Sequence, residues 1–335
     1  MKRSGHGLLI ILLAVLAALM LLSLCLGRYA VPLREVLRIL LSRFTFVEQT
    51  WEAGMSAAVL NIRPPRILLA ALVGACLSIA GVSYQGIFRN AMAAPDFLGA
   101  SSGAAFGAAL AILLGLSSAG ITVCAFCFSL LTVALVFFVA QRAPGKRAAN
   151  LILAGIMVSS LFSAGTSYIK LVADPSSKLP EITYWLMGSF SGKTWHDVRF
   201  ALPFMLLGTV PLFLLRWRMN LLTMGDDEAR AMGVDANRLR LLVVVCATLV
   251  TAASVSVSGV IGWVGLVIPH MARRLSGNDY RKLLPTTLLL GAIFLLAVDN
   301  LCRNLLAVEI PIGILTSFFG APFFLALMLK KEASL

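Results

Sequence analysis

Charged side chains are scarce in this 335-residue chain: they make up 13% of it, against 59% hydrophobic residues. A soluble domain carries about 25% charged residues. So much apolar surface exceeds what one soluble core can hide, and lipid must be part of the solvent. The mean hydropathy of +0.93 agrees.

Negative charge is scarcer still, with 15 Asp+Glu against 28 Lys+Arg and a net charge of +13. In a soluble protein that excess would point to nucleic acid. Here the basic residues are scattered between long apolar runs, with no aromatic–basic stripe. That pattern argues against a nucleic-acid partner, and the positive-inside rule accounts for the excess.

Histidine is limited to His6, His196 and His270. None has a second histidine or a carboxylate four residues away, as a metal site on a helix would need. No Ser/His/Asp set can be built from so few, so the chain shows no catalytic constellation, implies no cofactor and reads as a non-enzyme. Six cysteines include Cys124 and Cys127 as a CxxC. They lie inside an apolar run with no further zinc ligands nearby, and read as small side chains of a membrane helix. Carboxylates are nearly absent from the apolar runs; Asp96, Asp299 and Glu309 fall at predicted span edges. An ion-coupled carrier needs ionisable groups near mid-membrane. Their absence argues against ion coupling and places the energy source on a partner, while the missing catalytic set argues against a membrane-embedded enzyme.

What is abundant is apolar runs. A 30 Å hydrocarbon core needs about 20 helical residues. Charge-free runs cover 7–27, 67–88, 97–141, 148–169, 200–215, 241–272, 283–298 and 310–329. The run 97–141 is long enough for two spans, with the turn at Gly115 to Gly120. The run 241–272 is too long for one, and Gly259, Gly262, Gly265 and Pro269 are expected to break it. The sum is nine spans and a tenth, shorter one. The first run is longer than a secretory h-region of about 7–15 residues and has no A-x-A site after it. Leu24 is too bulky for a lipoprotein box before Cys25, so a retained first span is expected. Alternating ten spans from a cytoplasmic N-terminus puts most of the lysines and arginines inside and both termini in the cytoplasm.

Two polar connections stand out. The outer one, 28–66, holds an amphipathic stretch from Arg34 suited to the membrane surface. The inner one, 216–240, contains Gly225, Asp226, Asp227, Glu228, Ala229, Arg230 and Gly233. Acidic residues favour a helix N-terminus, and the two glycines bound a helix of about two turns, marginal unless it packs on something. A self-packed loop and a docking element both satisfy that. Gly99, Gly103 and Gly107 share one helix face and admit a close neighbour, within the subunit or across a subunit interface. Ser78–Val82 and Ser256–Val260 are similar enough to hint at an internal repeat. The segment Gly188 to Thr194 is one residue short of a phosphate-binding loop; no strand precedes it and the topology puts it outside, so nucleotide binding there is not expected. Ser159, Ser160, Ser163 and Thr166 offer hydroxyls on the fifth span, for a translocation path or for helix packing.

The motifs then align with a family. ArgProProArg at Arg63, the fifteen residues from Gln85 to Gly99, TyrTrpLeuMetGlySerPhe at Tyr184 and GlyAspAspGluAlaArgAlaMetGlyVal at Gly225 are followed by two more. These are GlyTrpValGlyLeuValIleProHisMetAlaArg at Gly262 and GluIleProIleGlyIleLeuThrSerPhePheGlyAlaProPhePhe at Glu309. In this order and at these spacings the chain resembles the FecCD permeases, membrane subunits of ABC importers for iron–siderophore complexes, haem and cobalamin. Met92 and Trp263 depart from the family's usual residues. The resemblance implies an all-α integral membrane fold of about ten helices, one permease domain over 1–335, working as a dimer with a second permease subunit. It also implies two cytoplasmic ATPase subunits and a periplasmic or lipid-anchored binding protein, in the cytoplasmic (inner) membrane of a bacterium or archaeon. It makes Gly225 to Gly233 the coupling helix and Arg63, Arg66 and Arg303 outward-facing docking residues, with an ordinary interfacial anchor as the lesser alternative for Arg63. Gly265, Pro269 and His270 become a signature or gating element. Iron–siderophore is the default cargo; haem, cobalamin and oxyanions stay open.

Overall fold

The computed structural model of the chain describes residues 5–27, 29–43, 49, 51–144 and 147–329. Lys2, Arg3, Lys146, Lys330 and Lys331, which contribute to the charge bias, and Arg28 on the outer connection lie outside the described residues. Among those described, every regular element is a helix. The first half holds α1 (Gly5–Cys25), α2 (Leu33–Leu41), α3 (Ala53–Ala57), α4 (Arg63–Phe88), α5 (Ala100–Leu113), α6 (Ser118–Arg142) and α7 (Arg147–Val172). The second half holds α8 (Lys178–Leu186), α9 (Trp195–Met224), α10 (Asp226–Ala231), α11 (Ala236–Ser258), α12 (Val264–Ser276), α13 (Tyr280–Asn304) and α14 (Ile312–Leu329). Seven stretches, carried by α1, α4, α6, α7, α9, α11 and α13, are long and apolar enough to cross a membrane. The helices α5, α12 and α14 are shorter.

The run 97–141 divides into α5 and α6 at 114–117, where Gly115 turns with φ +73°. Gly103 and Gly107 face α6: a Cβ on either would come within 2.5 Å of a backbone carbonyl oxygen or closer to a side chain there. Their close approach therefore lies within the subunit. Gly99 precedes α5 with φ +77° and meets both Thr132 of α6 and Ser159 of α7.

The run 241–272 breaks at 259–263, with Gly259 at φ +71° and Trp263 at φ +72°. Gly265 and Pro269 are not breakers; both sit inside α12. Proline at 269 has no N–H, so the carbonyl of Gly265, four residues earlier, loses its helical partner. That carbonyl lies against Gly81 of α4, where a Cβ would come within 1.8 Å of it. A glycine–glycine crossing thus absorbs the proline without ending the helix. A second such crossing joins Gly74 of α4 to Gly291 of α13. The start of α4 also departs from expectation. Helix continues upstream through a π turn at Ala58–Ile62 into α3. The wider turn accommodates Pro64 and Pro65, which supply no N–H to the carbonyls before them.

The span expected at 200–215 is the middle of α9, which runs for 30 residues. Thr194 starts it through a reciprocal capping box with Asp197, and Arg199, Arg216 and Arg218 extend it, their long stems reaching back to water. The phosphate-loop look of 188–194 is therefore a turn followed by a helix cap, entered from helix α8. The two similar pentapeptides are not equivalent: Ser78–Val82 is mid-α4, whereas Ser256–Val260 runs off the end of α11.

Within an 18-residue apolar segment of each, 89% of the residues are buried for the stretch containing α4, 72% for that of α11 and 22% for that of α7. The first two form the centre, and α1 and α7 the periphery. Buried hydroxyls inside spans mostly return to their own helix, as Thr251, Ser254 and Thr287 do to the carbonyl four residues back, since no water is there to satisfy them. Contacts sort the connections into two ends. One end gathers the close of α1, the start of α4, α8, the 259–263 break and the α13–α14 loop. The other gathers the close of α4, α10 and the α12–α13 turn.

Candidate functional site

At the second end, α10 has six residues, and its conformation follows from two glycines. Gly225 takes φ +153° before it and Gly233 takes φ +76° after it. Val234 N–H donates to Ala229 O at 2.9 Å and Gly233 N–H to Arg230 O at 2.9 Å. That pair of hydrogen bonds across a left-handed glycine is a Schellman stop. Ala229 is fully buried against the bundle core, while the Asp227 and Arg230 side chains are 96% and 62% exposed. The helix is thus held by one small apolar contact and presents charge outward. A cleft of about 590 Å³ opens beside it, lined among others by Trp217, Arg218, Met232, Asp235 and Arg238. Asp235 starts α11, accepting from the N–H groups of Asn237 and Arg238, and those bonds hold its carboxyl below the usual range.

The end of α9, just before α10, is tied to the rest. Asn220 donates to Asp279 at 2.8 Å and accepts from Tyr280 N–H at 2.9 Å, which clamps α9 to the start of α13. Tyr280 in turn donates to Val82 O, and Arg273 bonds Gln85, so α4, α9, α12 and α13 meet behind α10. The sequence carried no signal for this clamp.

At the first end, Arg63, Arg66 and Arg303 come together around a cavity of about 240 Å³ with Gly27, Ile62 and Glu309. They do not all face outward. Arg63 is buried and donates to the carbonyls of Leu24 and Tyr29, satisfying the open end of α1. Arg303 is 8% exposed and pairs with Asp299 at 3.2 Å and with Asn300. Arg66 reaches Asp299 at 2.7 Å and also Glu309. Asp299 is fully buried. A charge there is tolerable only if paired, which explains why these guanidiniums turn inward. Asp299 and Arg303 are four apart on one helix, a spacing visible in the sequence; Arg66 is 233 residues away and was not.

The four hydroxyls proposed for α7 divide. Ser160 and Ser163 are exposed. Thr166 is buried and bonds Phe162 O, and Ser159 is half-buried beside Gly99. Ser167, which the sequence reading passed over, joins Ser160 and Ser163 on one exposed stripe and bonds Ser163 O. Gly265, Pro269 and His270 share α12; the His270 ring stands edge-on to Phe324 of α14 at 6.0 Å, so the motif couples α12 to α14 and to α4. Among the described residues no cluster of three or more His, Cys, Asp or Glu side chains could hold a metal ion.

The sequence pattern of the FecCD transport family matches residues 14–330. The chain belongs to that family. Three curated relatives span its range. The molybdate import system permease protein MolB of Haemophilus influenzae is 41% identical over 98% of this chain and 95% of its own. The cobalamin import system permease protein BtuC of Halobacterium salinarum is 43% identical over 81% of this chain and 73% of its own. The hemin transport system permease protein HmuU of Yersinia pestis is 40% identical over 82% of this chain and 83% of its own. A solved structure described as an inward-facing conformation of a metal-chelate type ABC transporter superposes with a TM-score of 0.87 at 40% identity. It covers 97% of this chain and all of its own. As a FecCD family member with seven candidate spans, the chain is a multi-pass membrane transport protein.

Proposed function

We propose that this chain is the permease subunit of an ATP-binding-cassette importer, one domain over 1–335 whose ten membrane helices comprise the seven long stretches plus α5, α12 and α14. Two permease subunits enclose the path, two cytoplasmic ATPase subunits drive it, and a periplasmic or lipid-anchored binding protein delivers cargo. The second end of the bundle, with α10, faces the cytoplasm, as do both termini. The observation that carries this reading is α10 itself. A helix of six residues is too short to be stable alone. It is fixed to the core by Ala229 and offers Asp227, Glu228 and Arg230 to a partner, and its neighbour α9 is clamped to α13 by Asn220. Force applied at α10 reaches the bundle through those contacts.

Cargo moves by alternating access and no bond is broken, so no catalytic group is needed. Iron–siderophore is the default cargo class of this proposal. The relatives' names span molybdate, cobalamin and hemin, which makes these the comparison arms of any test. Arg63, Arg66 and Arg303 form the docking end. Since Arg66 already pairs with Glu309, an acidic residue of the binding protein competes with Glu309 for it, which sets orientation and encounter rate more than affinity. An ion-coupled carrier is disfavoured because the fully buried carboxylate, Asp299, is already held in ion pairs with Arg66 and Arg303 at one end of the bundle.

The coupling test reverses the exposed charges. Asp227→Arg with Arg230→Asp leaves both side chains in water, so the permease is expected to fold and extract normally. ATP-driven uptake by the assembled complex is expected to fall at least ~10-fold, about 1.4 kcal/mol of coupling. Uptake equal to wild type with the complex intact would reject α10 as the contact. The exposed hydroxyl stripe of α7 is the path-lining face. Ser160→Trp or Ser163→Trp is expected to block uptake while thermal stability stays unchanged, and Thr166→Trp to lower stability because Thr166 is buried. Unimpaired uptake in both serine variants would remove α7 from the path.

A further inference from the structure

A pocket of about 160 Å³ lies at the first end of the bundle between α8, the turn that follows it and the end of α11. Its polar lining is Ser189, Ser191, Lys193, Ser258 and Glu181, and Ile112, Ile121, Tyr184 and Trp185 form its apolar walls. It is built on a pinned platform. Gly188 and Gly192 turn the backbone with φ +74° and +69°, and fully buried Phe190 anchors the turn. Ser189 N–H donates to Ser258 O at 2.8 Å, and Gly188 O accepts from Ile312 N–H at 2.9 Å. Three broken segments are thereby locked to one another around the cavity.

The Lys193 side chain is 16% exposed, and its one ion-pair contact is Asp197 at a long 3.7 Å. The other Asp197 oxygen is occupied, accepting from the N–H and hydroxyl of Thr194. An ammonium has three donors, so a desolvated lysine with one long contact retains donors for an incoming acceptor. Burial pushes its pKa down, and Asp197 opposes that shift. Ser189 spends its Oγ as an acceptor for Ser191 N–H, which leaves its own O–H free to rotate toward a ligand. Glu181 is exposed at the rim and favours a ligand that presents its anionic end to Lys193 and a neutral or cationic portion outward.

We propose that this pocket binds one anionic oxygen group, a carboxylate or a tetrahedral oxyanion, through Lys193 and the hydroxyls of Ser189 and Ser191. The apolar walls of Ile112, Ile121 and Trp185 lower the local polarity and strengthen the charge-assisted bonds. The site goes beyond the permease reading and rests on it only for facing the external side. The group has two sources, a free tetrahedral oxyanion or a carboxylate of a larger chelate. Equilibrium dialysis of the purified permease in lipid nanodiscs against labelled molybdate, and separately against labelled citrate, distinguishes them. Saturable binding of one equivalent is expected in at least one arm. Molybdate alone assigns the free oxyanion, citrate alone assigns the chelate carboxylate, and both assign recognition of the group itself. Lys193→Gln is expected to weaken binding at least ~10-fold. Ser191→Leu, at an exposed position, fills the mouth and is expected to abolish binding with an unchanged melting curve. Absence of saturable binding in both arms, or undiminished binding in both variants, overturns the proposal. Because no ATPase is present, either result leaves the importer reading standing; that reading fails only if ATP-driven uptake fails.

Discussion

Gly81→Ala is expected to be among the most damaging single-methyl changes in the protein. The added Cβ would come within 1.8 Å of the Gly265 carbonyl oxygen and 2.6 Å of its carbon. Both are backbone atoms of α12, so no rotamer relieves the clash. The helices must separate, and the separation reaches Pro269, whose missing N–H is tolerable only because the Gly265 carbonyl already faces α4. A loss of more than about 3 kcal/mol is expected, read as a melting midpoint lowered by about 6–12 °C in detergent. The matched control is Gly262→Ala, where nothing lies within 4 Å of the new methyl. Its stability is expected to stay within about 0.5 kcal/mol of wild type. Equal midpoints for the two variants would contradict the α4–α12 crossing.

Asp299→Ala is expected to be as severe for an electrostatic reason. Asp299 is fully buried and pairs with both Arg66 and Arg303, Arg66 having Glu309 as a second carboxylate partner. Its removal leaves Arg303 with Asn300 and Ser23 as neutral partners only. Breaking a buried pair costs about 3–5 kcal/mol, because the surviving charge stays desolvated. Two further variants separate this from simple cavity formation. Glu309→Gln, nearer the surface, is expected to cost no more than about 1 kcal/mol. Asp299→Ala combined with Arg303→Leu is expected to recover part of the loss, because the stranded charge goes with it. A double variant no more stable than Asp299→Ala alone would show that packing, not charge, governs the site.

The two cases also mark what the sequence could and could not convey. Helices were legible because a charge-free run of membrane length admits little else. The α5–α6 turn was legible from Gly115, and the six-residue helix from Gly225 and Gly233. The character of Pro269 was misread because a proline's effect depends on what its orphaned carbonyl faces, and Gly81 is far away in the chain. The Gly188 to Thr194 segment looked like a phosphate loop because glycine turns and a following threonine serve both purposes; Asp197, three residues on, marks the capping box that Thr194 makes. The start of α9 was placed too late because charged ends conceal membrane helices whose arginine stems reach the interface. Arg63, Arg66 and Arg303 were found as a set, and the structure brings them together. Their partners were not legible, since Asp299 lies far from Arg66 and the Arg63 acceptors are backbone carbonyls.

The central claim is that this chain carries no motor and is moved through α10 by a nucleotide-driven neighbour. Uptake into proteoliposomes measures it directly. The permease is reconstituted with its ATPase and binding protein, and labelled iron–siderophore, haem, cobalamin and molybdate are offered in turn. Internalised uptake of one of them is expected only when ATP and the ATPase are both present, with no response to an imposed proton or sodium gradient. Accumulation driven by a gradient in liposomes holding the permease alone would contradict the account.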